Sequence, residues 1–104
     1  MSAQPPTAPY WRLEAAARRV GLAPRRVRRY VRAGLVRPAR VEGRVVLFGE
    51  AELARLRKIR RLVDELGVNI AGVEIILRLV DELAVLRAPT AGSPGERSLL
   101  SGRD

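Results

Sequence analysis

The stretch Ala23-Pro-Arg-Arg-Val-Arg-Arg-Tyr-Val-Arg-Ala-Gly-Leu-Val-Arg-Pro38 decides the fold, because it predicts a short and strongly basic helix. Pro24 is favoured in the first turn of a helix, where its missing N–H costs nothing. Gly34 is favoured just past the end of a helix. Apolar residues at positions i, i+3 and i+4 predict a narrow buried stripe between these two points. The stripe consists of Val27, Tyr30 and Val31.

Arginines occupy a separate stripe of the same helix, at positions i, i+3, i+4 and i+7. So many guanidinium groups repel one another and folding does not require them, so an anionic partner would explain them. Nucleic acid is the commonest such partner. Lys58 is the only lysine, which makes arginine the default cation of this chain, and a solvated basic face remains the alternative. The stripe consists of Arg25, Arg28, Arg29 and Arg32, and Arg26 adds charge near the N-terminal end.

Composition narrows the classes of function. The 104 residues fit one small domain, and the net charge of +9 favours nucleic acid or an acidic protein surface as partner. Without cysteine or histidine the chain has no disulfide, no thiolate or histidine metal site and no histidine general base. The acidic residues stand singly or beside basic neighbours. We therefore predict no enzyme, no cofactor and no metal, and, without an apolar span or signal peptide, a cytoplasmic protein.

The order of the elements predicts a helix-turn-helix. Residues 1–9 and 88–104 are rich in Pro, Gly and small polar residues and are predicted to be disordered, which leaves 10–87 as the folded domain. Apolar residues from Leu13 to Val20 keep helical spacing, and Gly21 ends that helix. A tight turn then leads into the basic helix. The second helix of such a motif enters the major groove of DNA, and here it is the arginine-rich one.

A β-hairpin and a third helix are predicted next. The runs 40–41 and 45–48 predict two strands with a bend at Glu42-Gly43, which would form a two-stranded wing beside the helix pair. Arg44 near its tip is equally well explained as a phosphate contact or as a surface arginine. The third helix is predicted from about residue 51 to residue 66. Its buried stripe is predicted to be Leu53, Leu56, Ile59, Val63 and Leu66.

The last predicted helix spans 70–87 and is capped by Asn69. Its apolar residues cover about 200° of the helical wheel, well beyond the ~100° that one core contact needs. The side with Val73, Leu77 and Val80 can cover the core of the domain. A second copy of the chain is the simplest cover for the other side, with complete enclosure by the domain as the alternative. That side consists of Ile75, Leu79, Leu83 and Leu86.

Together these elements predict a mainly α fold, a winged helix-turn-helix with a C-terminal apolar helix, and this layout resembles the MerR family of bacterial transcription regulators. The residues of 21–38 are similar to the family's helix-turn-helix without gaps, and 52–59 resembles its third helix. The stretch 65–77, Glu-Leu-Gly-Val-Asn-Ile-Ala-Gly-Val-Glu-Ile-Ile-Leu, resembles the narrower HspR group of heat-shock repressors. The resemblance covers about residues 10–86.

The resemblance implies a function as well as a fold. It implies a homodimer that binds an inverted repeat in double-stranded DNA and represses chaperone genes, with the chaperone DnaK as co-repressor. A related branch, the CbpM chaperone modulators, has a similar shape but binds a J-domain cochaperone. The alternative hypothesis is therefore an adaptor that binds a J-protein or Hsp70 without specific DNA binding.

Some residues depart from the family pattern. Val46 stands where family wings usually carry an arginine that contacts phosphate, and Arg44 is the candidate replacement. Phe48 stands where tyrosine is usual. In the DNA-binding hypothesis Arg25, Arg26 and Arg29 lie nearest the base edges, while Arg28, Arg32 and Arg44 hold phosphates. The valine and the wide apolar helix motivate the adaptor hypothesis, in which the arginines bind an acidic protein surface.

Overall fold

In the computed structural model, residues 9–87 can be described. The predicted tail 88–104, and the predicted lead except for its last residue, lie outside this range. The chain divides into two compact units, Met1–Glu74 and Ile75–Asp104. The elements are β1 (Trp11–Arg12), α1 (Leu13–Val20), α2 (Pro24–Arg32), β2 (Arg40–Glu42), β3 (Val45–Phe48), α3 (Glu50–Arg60), a π-helical turn (Arg61–Glu65) and α4 (Ile70–Arg87).

The helix-turn-helix is confirmed, with α2 beginning at Pro24 as predicted. Helix α1 ends at Gly21, whose φ of 76° is the left-handed conformation that glycine adopts at low cost. The backbone N–H of Leu22 then donates to the carbonyl of Ala17 at 2.9 Å. The N–H of Gly21 also donates to the carbonyl of Arg18, at 3.3 Å. These two bonds satisfy carbonyls at the end of α1, and the sharp turn allows α2 to pack on α1.

The predicted two-stranded wing of β2 and β3 is confirmed, and β1, which was not predicted, joins it as a third antiparallel strand in the order β1-β3-β2. The predicted hairpin is present, but its two-residue turn is Gly43-Arg44, one residue later than expected. Gly43 has a φ of 64° and Arg44 does not have a positive φ, as in a type II′ turn. The extra strand pairs Trp11 with Phe48, so the wing is tied to the residues that open α1.

Helix α3 begins with a capping interaction, in which the Glu52 carboxylate accepts the Gly49 N–H at 2.8 Å. Its predicted stripe is buried as far as Ile59. The helix then widens into the π turn, where the N–H of Leu66 donates to the backbone carbonyl of Arg61, five residues earlier, at 3.1 Å. This extra residue in the turn shifts the following side chains around the axis. Leu66 is consequently 65% exposed, and its predicted burial was wrong.

The core of the first unit is aliphatic, apart from two aromatic side chains, Phe48 of β3 and Tyr30 of α2. It brings α1, α2, α3 and β3 together, since α1 contacts each of the other three. Its completely buried side chains in this unit are Val27, Phe48, Leu53, Leu56, Ile59 and Val73, together with Ala16 and Ala17.

Helix α4 has the predicted bounds. The side chain of Asn69 accepts the N–H of Gly72 at 2.8 Å, which confirms the predicted N-cap. Val73 and Leu77 are buried, whereas the opposite side of the helix is open. Ile75, Leu79, Leu83 and Leu86 are 56%, 53%, 49% and 79% exposed. Across the described residues, helices of the length and apolar character that a bilayer span requires are absent.

Candidate nucleic-acid interface

The arginine stripe of α2 faces solvent. Arg25, Arg28, Arg29 and Arg32 are all exposed. Arg28 approaches Glu14 at 3.8 Å, but both side chains are at least half exposed, so this pair is weak. Within residues 9–87 no carboxylate forms an ion pair with the other three. These guanidinium groups are therefore available to an external anion.

A groove of about 390 Å³ lies between the first turn of α1, the C-terminal half of α2 and the wing. Its lining combines four apolar side chains with four arginines and one glutamate. A groove of this composition suits a sugar–phosphate backbone, because arginine binds phosphate in a bidentate manner while apolar side chains can contact the sugar. The lining residues are Arg12, Leu13, Glu14, Arg28, Val31, Arg32, Arg44, Val45 and Val46.

The wing supplies two lining residues of special interest. Arg44 stands in the hairpin turn, and Val46 lies on β3, and both face the same groove. A cation is thus present in the groove despite the valine. Arg12 is a further cation there that the sequence analysis missed, because a strand of two residues has no detectable pattern.

Arg26 has surroundings unlike those of the stripe. Its Nη1 and Nη2 donate to the two carboxylate oxygens of Asp64 at 3.1 Å and 2.9 Å. Its Nε and Nη2 also donate to the Tyr30 hydroxyl at 3.1 Å and 2.6 Å. Asp64 lies in the π turn, so this network joins α2 to the end of α3. No local sequence pattern predicts this network, because 38 positions separate the two charged residues.

The network shifts the pKa values of Arg26 and Asp64 in the directions that favour their charged forms. The hydrogen bond with Arg26 lowers the pKa of Asp64 below its ordinary value. The hydrogen bond with Asp64 raises the pKa of Arg26.

We expect Asp64→Asn to lower the melting temperature at neutral pH and to lose this effect in acid. A lowered pKa stabilises the folded state above the unfolded-state pKa, about 3.9 for aspartate, and the contribution disappears as the pH falls through the folded-state pKa. Thermal unfolding of both proteins over a pH series measures the difference. Glu65→Gln is the control, because the Arg61–Glu65 pair at 3.6 Å is exposed and lies within one turn. An equal pH dependence in wild type and Asp64→Asn would contradict the expectation.

Two further arginines fasten the helix-turn-helix to α3. Arg55 Nε donates to the carbonyl of Leu35 at 2.6 Å, just beyond α2. Arg60 Nη1 donates to the carbonyl of Val20 at 3.2 Å, at the C-terminal end of α1, where the helix dipole favours a cation. Arg55 and Arg60 therefore have structural partners within the domain.

Residues 9–87 contain no group of three or more acidic side chains placed to hold a metal ion. Exposed arginines lie on α2 and around the wing groove, and other exposed cations lie on α1 and at the end of α3. Two helices joined by a tight turn, an exposed arginine stripe on the second and an adjoining hairpin define a winged helix-turn-helix protein.

The chain belongs to the MerR family. The family model described as "MerR HTH family regulatory protein" matches residues 11–79, which include every element up to the middle of α4. The chain is also 35% identical over 83 residues to a Streptomyces coelicolor protein named "Putative heat shock protein HspR". That alignment covers 80% of this chain and 55% of the relative, so the chain spans about half the length of that relative. The resemblance inferred from the sequence is therefore confirmed.

Proposed function

We propose that this protein is a dimeric DNA-binding transcriptional repressor of the HspR type that acts on chaperone or heat-shock genes. The observation that carries the proposal is the exposed arginine stripe of α2 beside an arginine-rimmed groove under the wing. Similarity to a protein named as an HspR supports the choice of target genes.

The arginines divide into two roles. Arg25 and Arg29 lie on the exposed side of α2 and would read base edges in the major groove, where arginine commonly binds O6 and N7 of guanine. Arg26 was predicted to join them. The groove residues would hold phosphates, which fixes the register of the protein on the duplex without reading sequence. They are Arg28, Arg32 and Arg44, and we now add Arg12.

A dimer would explain the apolar side of α4. Ile75, Leu79 and Leu83 are each about half exposed, and a stripe of this kind is costly in water. Pairing with the same stripe of a second copy would bury both apolar stripes. A twofold dimer would also present two recognition helices to the two half-sites of an inverted repeat, whose centres lie about 34–36 Å apart. A co-repressor such as DnaK would have to bind elsewhere on this dimer.

The alternative function is a chaperone adaptor that binds a J-domain cochaperone or Hsp70. Val46 favours it, since an apolar side chain lines the groove where a family wing arginine would contact phosphate. In this alternative the open arginines bind an acidic protein surface. Capture of such a chaperone in nuclease-treated extract, without any DNA preference, would support the adaptor.

A DNA-binding measurement distinguishes the repressor from the adaptor. Titration of a fluorescent duplex from the gene's own upstream region, against a random duplex at moderate salt, should show at least about a 10³-fold preference for the upstream region. Arg25→Ala should reduce this preference by about 1–3 kcal/mol, because a base contact is lost. Arg44→Ala is the matched variant, and it should weaken binding to both duplexes equally. No preference in the wild type would refute the repressor proposal.

A further inference from the structure

Arg26 lies off the arginine stripe of its own helix. At ~100° per residue, the stripe residues Arg25, Arg28, Arg29 and Arg32 occupy an arc of about 100°. Arg26 lies about 60° beyond Arg29, and only about 40° from Tyr30, whose ring is 2% exposed. Its position on the helix therefore places it at the border between the open face and the core.

The guanidinium of Arg26 already uses most of its donors. An arginine has five N–H donors, and this one makes four hydrogen bonds, two to Asp64 and two to the Tyr30 hydroxyl. A guanine contact needs two parallel donors from one edge of the guanidinium. Reading a base would therefore break bonds to a carboxylate that has no other ion pair among the described residues.

We infer that Arg26 is a positioning residue and Asp64 its partner, and that together they fix the recognition helix on the end of α3 so that Arg25 and Arg29 can read DNA. The inference rests on the proposed DNA-binding function and changes the role predicted for Arg26. The contact ties the N-terminal half of α2 to the π turn. Arg55 ties the chain just beyond the other end of α2 to α3 through Leu35. These two attachments to α3, one near each end, add to the packing of α2 on α1 in fixing the tilt of a helix of nine residues.

The geometry distinguishes this contact from an ordinary surface ion pair. Exposed pairs usually contribute little, but bidentate pairs and networks are the exceptions. The Arg26 and Asp64 side chains are 30% and 41% exposed, and the shared acceptor is the hydroxyl of a buried tyrosine. Loss of either charge would leave the other without its partner and would remove one of the two polar contacts that join this segment to α3 and its π turn.

The experiment measures two properties of the full chain, the salt dependence of binding to a random duplex and the preference for the upstream duplex. Each phosphate contact that is lost lowers the slope of log K against log salt by about 0.9. Arg32→Ala, the phosphate-contact control on the same helix, should lower the slope by about 0.9 per protomer. Arg26→Ala should leave the slope unchanged but reduce the preference about tenfold, within the range of coupling in ion-pair networks.

Asp64→Asn provides the second arm, because it leaves Arg26 charged. The slope should not fall, and the preference should fall as it does in Arg26→Ala. Glu65→Gln, one residue along the same π turn, should change neither property. The exchanged pair Arg26→Asp with Asp64→Arg should recover most of the lost preference, which a role in phosphate binding would not allow.

Three results would overturn the inference: a slope in Arg26→Ala that falls as far as in Arg32→Ala, an unchanged preference in Asp64→Asn, or no recovery in the exchanged pair when circular dichroism shows all variants folded. Failure of the proposed function has a different outcome, since the wild type itself would then show no preference. The slopes on random duplex still decide in that case whether Arg26 contacts phosphate.

Discussion

Replacement of Leu79 by glutamate is expected to convert a dimer into a monomer. Leu79 is 53% exposed in the single chain and lies at the centre of the apolar stripe of α4. In a twofold interface each substitution occurs twice, so two carboxylates would be buried without partners. We expect the dimer dissociation constant to rise at least 100-fold, about 2.7 kcal/mol. Sedimentation equilibrium over a concentration series measures it.

A matched variant is available on the same helix. Val85 is also apolar and 73% exposed, but it lies about 120° around the helix from Leu79, on the arc shared by Arg78 and Asp81. Val85→Glu introduces the same charge at a position outside the proposed interface, and it should leave the dimer intact. Equal dissociation in both variants would show that α4 does not pair through the Leu79 side. A wild type that is monomeric while bound to DNA would also contradict the dimer.

Loss of the dimer should appear in DNA binding too. A monomer places only one recognition helix on an inverted repeat and loses the binding energy of the second half-site. We therefore expect Leu79→Glu to bind a full repeat and a single half-site with nearly equal affinity. Retention of a strong preference for the full repeat would mean that another surface holds the two copies together.

The sequence was sufficient for those features that depend on local signals. Pro24 and Asn69 mark the first turn and the cap of α2 and α4, and both helices begin where these residues predict. Hydrophobic spacing similarly identified the buried sides of α1 and α3. Each of these signals operates within one turn of helix, which is why a single sequence can reveal it.

Features that depend on distant partners were not predictable. Strand β1 has two residues and exists because Trp11 pairs with Phe48 across the sheet. The π turn places Asp64 against Arg26 and turns Leu66 outward, and no local pattern marks it. The candidate interface shows the same division: the α2 stripe follows from spacing, but Arg12 enters the groove through tertiary structure alone. The DNA-contacting roles of these arginines remain predictions.

The second large effect is expected in the core, from Phe48→Ala. Phe48 is completely buried, and it is the residue of β3 that pairs with Trp11. Strand β3 contacts both α1 and α3, so this ring fills the space where the wing meets the helices. Truncation of a buried phenylalanine costs about 3–5 kcal/mol. That is a large share of the 5–15 kcal/mol by which domains are stable.

We expect the melting temperature of Phe48→Ala to fall by more than about 10 °C, since each kcal/mol shifts a domain of this size by about 4–8 °C. Val41→Ala is the control, because Val41 lies on the neighbouring strand of the same hairpin but is 62% exposed, and its truncation should change stability by less than about 0.5 kcal/mol. Differential scanning calorimetry of the three proteins gives both values. If Phe48→Ala had the same melting temperature as Val41→Ala, the Phe48 ring would not hold the wing against the helices. Other contacts would then have to position the wing beside the groove that contains Arg12 and Arg44.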